Sequence, residues 1–286
     1  MTTRHFEITG PGVYDGLNEA VYHADTALAA GFGPSLSSTG AKRILHAPAA
    51  FKWEQENPSY ERKFNVGTAV HSIVLGVGDG AIEYPEEFIT KSGAISSKAE
   101  VKEWEKAQRE NGLVPLKRAQ IHAVRETANA VLAHPVAGKV LAAGKPEQSI
   151  YATDSDTGVT MRGRIDWLRG NAVIDLKTTG QSAHPWRFAK TCADFGYDLQ
   201  AAWYLKILAA LGYPTDIPYL HVVVEIEPPY LVSVVQLDDE SLAAGWAQAE
   251  RALEIYARCV ETDDWPGYPE EITPITLPAY HLNKHL

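Results

Sequence analysis

Apolar positions along this chain keep two different periods, and the change falls just before residue 149. Upstream they recur at helical spacing: Ala69, Val70, Ile73 and Val74 place a buried helix over residues 67–75. Residues 98–109 and 116–141 read as further helices, the second stopped or kinked near Pro135. The first 65 residues are rich in Gly, Pro and Ser and hold one helical candidate, Ser38–His46, with Ser37 or Ser38 as its N-cap. Downstream, residues 149–153, 159–168 and 172–176 read as three successive strands. Asp154-Ser-Asp-Thr-Gly158 closes the first hairpin and Arg169-Gly-Asn171 the second. Residues 198–211 form a strong helix ended by Gly212 and Pro214, 219–226 and 231–237 a strand pair around Pro228-Pro229, and 239–260 a final amphipathic helix. This order predicts an α/β (α+β) domain with a central mixed sheet flanked by helices and with helical, irregular additions at the N-terminus.

Composition narrows the class. The 286 residues are 45% hydrophobic and include seven Trp, enough for a real core and outside the disordered range. No apolar run approaches the ~20 residues of a membrane helix, and the first residues lack the apolar segment of a signal peptide. Cys192 and Cys259 alone support neither a disulfide scaffold nor a cysteine-based metal site. A soluble, intracellular globular protein with no membrane association is expected.

The net charge of −10 argues at first against a nucleic-acid partner, but it is unevenly placed. Residues 238–271 hold ten acids against Arg251 and Arg258, a pattern that usually marks only a solvated face. Residues 162–206 hold seven bases against four acids, so a polyanion could still bind there.

The chemistry concentrates in Arg162-Gly-Arg-Ile-Asp166 and Val173-Ile-Asp175-Leu-Lys177. Side chains at i and i+2 of a strand share a face, which groups Asp175 with Lys177 and Arg162 and Arg164 with Asp166. The hairpin has the length to bring Asp166 beside Asp175. Two carboxylates at a strand end make a hard-oxygen site for Mg²⁺ or Mn²⁺ that leaves room for a phosphate substrate. Lys177 could orient or deprotonate an attacking water, or stabilise charge on the phosphate. Taken alone, Asp-x-Lys is common and would read as an exposed ion pair. Gln200 and Tyr204, i and i+4 on the next helix, add an amide and a phenol on one face. His71, one turn beyond Gly67, would by itself read as a core histidine.

Gly67-Thr-Ala-Val-His71, Gly163-Arg-Ile-Asp166, Asp175-Leu-Lys177 and Gln200-Ala-Ala-Trp-Tyr204 together resemble the GxxxH, GxxD, DxK and QxxxY motifs of RecB-type nucleases in the PD-(D/E)XK superfamily. Tyr22-His-Ala24, Leu36-Ser-Ser-Thr-Gly-Ala-Lys42, Ala47-Pro48 and Gly196-Tyr-Asp-Leu-Gln200 extend the resemblance to RecE-like exonucleases, the nuclease domain of exodeoxyribonuclease VIII. It spans about residues 20 to 236 and is silent on the C-terminal tail.

The resemblance implies a restriction-endonuclease-like core over residues 66–261, an N-terminal arm (1–65) packed on it and a Pro-rich tail (262–286). It implies that His71, Asp166, Asp175 and the Leu176 carbonyl bind the metal, with Glu147, just before the first strand, as a further acid. Lys177 matches the catalytic lysine, and Gln200 and Tyr204 the pair that steadies the lysine and the substrate strand. The second acid is Asp175 rather than the Glu of the superfamily name, as is usual in the RecB branch. The implied activity is Mg²⁺-dependent (Mn²⁺ substituting) exonucleolytic hydrolysis of linear duplex DNA, 5′ to 3′, leaving 3′ overhangs for a RecT-like annealing protein. A ring-shaped homo-oligomer in a bacterial or phage-infected cytoplasm goes with it. Arg162, Arg164, Arg187, Lys190, Lys42 and Arg62 are the expected DNA contacts. A RecB-like endonuclease and a non-catalytic recombination scaffold are the competing readings. The first would nick closed circles, and the second has no chemical reason to retain Asp166, Asp175 and Lys177 together.

Other signals fall away. Gly76-Val-Gly-Asp-Gly80 follows a helix and lacks the rest of a dinucleotide fingerprint. Asp154–Gly158 lacks the distal Glu of a calcium loop. Both cysteines are expected to be inert, and Trp186 is the tryptophan most worth testing as a base-stacking residue.

Overall fold

A computed structural model describes residues 7–57, 66–78, 80–277 and 279–282. Its elements in chain order are β1 (Gly12–Tyr14), α1 (Glu19–Ala24), β2 (Ser35–Ser37), α2 (Ser38–His46), α3 (Pro48–Glu56), α4 (Val66–Leu75) and β3 (Gly80–Glu83). After a short 3₁₀ turn come α5 (Ala99–Glu110), β4 (Leu113–Leu116), α6 (Arg118–Ala133), α7 (Ala137–Leu141), β5 (Lys145–Thr153), β6 (Thr160–Arg169) and β7 (Ala172–Thr179). The chain finishes with α8 (Pro185–Phe195), α9 (Tyr197–Ala210), β8 (Tyr219–Glu225), β9 (Val232–Gln236), α10 (Asp239–Thr262) and the single turn α11 (Ala279–Leu282).

The main sheet runs β1-β5-β6-β7-β8-β9, with β2 added in parallel beside the start of β6. Its antiparallel meander β5-β6-β7 is the one the alternating pattern predicts. β8 then lies parallel to β7, with α8 and α9 as the crossover, and β9 pairs antiparallel at the edge. Helices cover both faces. On one, Trp203, Leu199 and Leu208 of α9 meet Ile150, Met161 and Ile165, with α2 and α10 outside them. On the other, Val70 of α4 and Val124 and Val131 of α6 cover Ile174, Leu176 and Val222. Burial on both faces explains why β7 and β8 read as near-continuous apolar runs. The result is the α/β fold expected, a mixed sheet between helical layers.

Local chemistry explains where the elements start and stop. Ser37 caps α2 through a hydrogen bond accepted from Gly40 N. The expected 116–141 helix divides at His134-Pro135, where proline withholds its N–H and the His134 ring accepts from Ala137 N. Leu116 belongs to β4, paired in parallel with β3. Pro185 sits in the first turn of α8, a helix the periodicity reading does not contain. α9 is apolar nearly all round because it is enclosed by the sheet, α2 and α10. At its crossing with α10 the backbones nearly touch: a Cβ on Gly245 would lie 2.3 Å from the Asp198 carbonyl oxygen.

The first residues do more than lie against the sheet, since β1 and β2 are strands of it. The start of the tail docks on α2 and α3: Trp265 stacks on Phe51, and Tyr268 OH is 2.8 Å from His46 Nε2. Among the described residues no helix is long and apolar enough to cross a membrane.

The β5–β6 hairpin depends on Asp154. Its carboxylate accepts from Thr157 N and Oγ1 at 3.0 and 2.7 Å and from Lys206 Nζ at 3.2 Å. Burial pushes its pKa up, but these hydrogen bonds and the lysine charge outweigh that and hold it below the usual aspartate value. A carboxyl with a depressed folded pKa contributes stability above its unfolded pKa and loses it as pH falls through the folded value. Asp154→Asn should therefore cost about 1–2 kcal/mol at pH 6–7 in urea unfolding. The gap to the parent should close below about pH 4; a gap that persists or widens there would contradict this account.

Candidate active site

The site forms where β6 and β7 part. Their ladder is only three pairs long, ending at Trp167↔Ile174. Beyond it the next two facing residues are Asp166 and Asp175. Asp166 Oδ2 accepts a hydrogen bond from Leu176 N at 2.8 Å, so a carboxylate takes a backbone donor that a continued ladder would have paired. His71 on α4 approaches from the other side, its Nδ1 3.8 Å from Asp166 Oδ2 and its ring near the Leu176 main chain. Two expected ligand positions, His71 and Asp166, and the Leu176 main chain therefore do meet.

Asp175 is 3% exposed and nearly saturated with donors. Lys177 Nζ lies 2.9 and 2.8 Å from its two oxygens, Gln200 Nε2 donates to Oδ1 at 3.2 Å, and His221 Nδ1 is 3.1 Å from Oδ2. Burial alone would keep this carboxyl protonated, but the lysine charge and the His221 hydrogen bond hold it far below the ordinary aspartate pKa. Asp166 moves the opposite way: burial, reinforced by the Asp175 charge, raises its pKa well above normal. Lys177 loses its charge less readily than an exposed lysine, because Asp175 and Asp166 more than offset its burial. Burial, with the Lys177 charge second, lowers the pKa of His71.

Several sequence expectations change in detail. Gln200 holds Asp175, not Lys177. Tyr204 is buried against β6 rather than presented to a substrate, and a Cβ on Gly163 would come within 2.8 Å of its ring. That close approach is the physical reason for the glycine in Gly163-Arg-Ile-Asp166. Arg162 is 12% exposed and bound to Asp25 and to Ser35 O and Oγ. Arg164 pairs with Glu147 and donates to Leu17 O. Both guanidinium groups lie over the Tyr22 ring, so they share a face as expected, but they fasten the N-terminal segment to β6 and cannot serve as free phosphate contacts. Glu147 lies inside β5, not before it, at φ 49°, a left-handed conformation rare outside glycine. Its carboxylate lines an open cleft of about 740 Å³ together with His71, Arg164 and residues 15–20.

Lys42 is half-buried and donates to Phe195 O at 2.7 Å; burial, then the Lys177 charge, lowers its pKa to about 8. Arg187 bonds Gln181, and Lys190 lies over the ring of Trp186, both on the outer side of α8. Arg62 lies outside the described residues. Both thiols are buried, and burial raises the Cys192 pKa to about 11, as an inert cysteine requires.

Two residues at the site had no role assigned from the sequence. His221 is fully buried, and its only signal was one imidazole inside an apolar strand. Tyr197 places its ring 4.5 Å from Lys177 Nζ.

Among the described residues no set of three or more His, Cys, Asp or Glu side chains is already closed around a metal position. The donor chemistry nevertheless fits a hard divalent cation. Two carboxyls, Asp166 and Asp175, lie near enough for their charges to interact, with the His71 imidazole and the Leu176 main chain beside Asp166. A cation there would relieve the burial and the Asp175 charge that raise the pKa of Asp166.

A mixed sheet whose meander strands part over an Asp and an Asp-x-Lys, with a helix crossing below, defines the PD-(D/E)XK fold class. The chain belongs to the family described as a PDDEXK-like domain of unknown function (DUF3799), whose match covers residues 37–278. Its fold is similar to that of a candidate exonuclease from Eubacterium rectale, with a TM-score of 0.56, 13% identity, and 88% of this chain and 94% of that one covered. A phage-related exonuclease from Haemophilus somnus also matches, with a TM-score of 0.31, 14% identity and coverage of 72% and 98%. No curated protein matches the sequence.

His221 supports a buried carboxylate, so His221→Ala should destabilise the fold by about 2–4 kcal/mol in urea unfolding at pH 7. His221→Asn, which keeps a nitrogen donor near Nδ1, should recover part of that loss. Equal costs for the two would mean that the histidine only fills space.

Proposed function

We propose that this protein is a metal-dependent exonuclease that hydrolyses phosphodiester bonds of linear duplex DNA. The observation that carries the reading is the meeting of Asp166, Asp175 and Lys177 at the fork between β6 and β7. His71, Asp166, Asp175 and the Leu176 carbonyl would hold Mg²⁺, or Mn²⁺ in its place. The bound cation would supply Lewis acidity and an activated water. The protein's own groups do the positioning. Gln200 and His221 keep Asp175 aimed when one of its oxygens is given up by Lys177. The freed ammonium is then within reach of a phosphate at the same mouth, where it can offset developing charge. Glu147, tied by Arg164, forms the adjoining wall of the cleft. The Eubacterium rectale likeness supports the fold beneath this reading.

The finer assignments rest on the RecE-like motifs. These are 5′ to 3′ polarity, 3′ overhangs for strand-annealing recombination, a RecT-like partner, a ring-shaped homo-oligomer and a cytoplasmic setting. In such a ring the acidic 238–271 region would face outward. Among the expected DNA contacts, Arg187 and Lys190 remain on the outer side of α8.

Linear and covalently closed circular duplex DNA, each incubated with and without Mg²⁺, test the reading. Loss of the linear form alone, only with metal, is expected. Nicking of circles would make it an endonuclease, and binding without hydrolysis a scaffold. Asp175→Ala should slow hydrolysis on the order of 10²–10⁴-fold; a parental rate would defeat the site assignment.

Charge reversal of Arg187 and Lys190 should weaken DNA binding and reduce the slope of log K against log salt by about 1 for each phosphate ion pair removed. An unchanged slope would remove them from the interface.

A further inference from the structure

The corner between α8 and α9 carries a feature that the hydrolytic chemistry does not use. Phe195, the last residue of α8, is 61% exposed. One exposed aromatic is ordinary on a soluble protein, but this one is held in place. Its ring stacks on Tyr197 at a centroid distance of 5.8 Å and an interplanar angle of 20°. Tyr197 in turn lies 4.5 Å from Lys177 Nζ. The exposed ring is therefore at most about 10 Å from the catalytic ammonium.

The backbone beneath it is fixed as well. Gly196 turns the chain at φ 61° and returns its N–H to Cys192 O, ending α8 with a left-handed cap. Lys42 clamps the Phe195 carbonyl at 2.7 Å, and Phe188 and Cys192 anchor the same helix in the core. Two cations border the stack, Lys177 and Lys42 over the Tyr197 ring, the first paired with Asp175 and the second donating to Phe195 O, and α8 itself carries Arg187 and Lys190 against Asp194. A rigid aromatic face beside cations suits a nucleobase whose phosphates lie on the lysines, because stacking tolerates any base. A strand rises by about 3.4 Å per stacked nucleotide, so such a base would lie within a few nucleotides of the phosphate at Lys177.

We infer that Phe195, backed by Tyr197, is a stacking platform for a base of the DNA strand that enters the Asp166–Asp175–Lys177 site. The inference rests on the nuclease reading above and adds a binding subsite to it.

The test uses the full chain and 5′-phosphorylated duplexes carrying 2-aminopurine at either the 5′ or the 3′ terminal nucleotide, in Ca²⁺ buffer. The parent should quench the probe on one of the two strands. Phe195→Ala should abolish that quench and weaken binding roughly 5- to 150-fold, the range expected for removing one base–aromatic stack. Phe195→Tyr and Phe195→Trp should restore both, whereas Phe195→Leu should not.

Parental affinity and quench in Phe195→Ala would overturn the inference, as would full rescue by leucine, which marks a merely apolar contact. Loss of binding accompanied by a smaller assembly in sedimentation would also overturn it and mark a contact between copies. If the parent hydrolyses linear DNA while Phe195→Ala binds it normally, only this inference fails. If the parent neither binds nor hydrolyses DNA, the nuclease reading fails with it.

Discussion

A carboxylate shut away from water stays ionised only if the protein replaces its hydration with charge and hydrogen-bond donors. Asp175 is in that position, and most of the fold near the site is arranged around its needs. Lys177 comes from the same strand, two residues on. Gln200 comes from the helix below and His221 from the neighbouring parallel strand. Moving any one of these elements would leave a buried charge short of a partner. The β7–β8 register, which sets Asp175 beside His221, is thus an electrostatic requirement as well as a packing one. Asp166 completes the arrangement by taking Leu176 N and keeping β6 and β7 apart.

Those dependencies also decide what the sequence could disclose. Asp175 and Lys177 are two apart on one strand, and Asp166 is one hairpin away, so local periodicity suffices to group them. Gln200 was visible as an amide sharing a helix face with Tyr204. His221 was not, because its contact depends on a parallel pairing between strands more than 40 residues apart, and no local pattern carries that register. The strand itself is legible at residues 219–226, but it offers no sign of which neighbour it joins.

The arginines show the same limit from the other side. The shared face of Arg162 and Arg164 is a local property and holds, as their common position over Tyr22 shows. What they touch is not local. Asp25, Ser35 and Leu17 lie well over a hundred residues upstream, in a stretch that reads only as Gly-, Pro- and Ser-rich. A cation on a strand face next to carboxylates looked like a phosphate contact; it is the fastening by which the N-terminal strands join the sheet. α8 is a different case. Its proline at the first turn and the 188, 192, 195 spacing were legible, but the helix is short and lies between stronger signals.

Helix α9 ties these observations to the mouth of the site. Its three successive contacts address both strands of the fork: Gln200 reaches Asp175 on β7, Trp203 donates to Arg162 O, and Tyr204 packs on Gly163 of β6. Positions i, i+3 and i+4 share one helical face, so a single rigid element sets the separation of two strands that no longer hydrogen-bond to each other. The two ends of the Gln200–Tyr204 motif accordingly act differently. The amide steadies the buried Asp175 carboxylate, while the phenol, kept protonated by burial, serves as a spacer under β6. A residue larger than glycine at 163 would press on that spacer, and the strain would reach Asp166, three residues along the same strand. The spacing of Gly163, Asp166, Asp175, Gln200 and Tyr204 can therefore be understood as one mechanical unit, in which the helix holds the fork open at the width the carboxylates need.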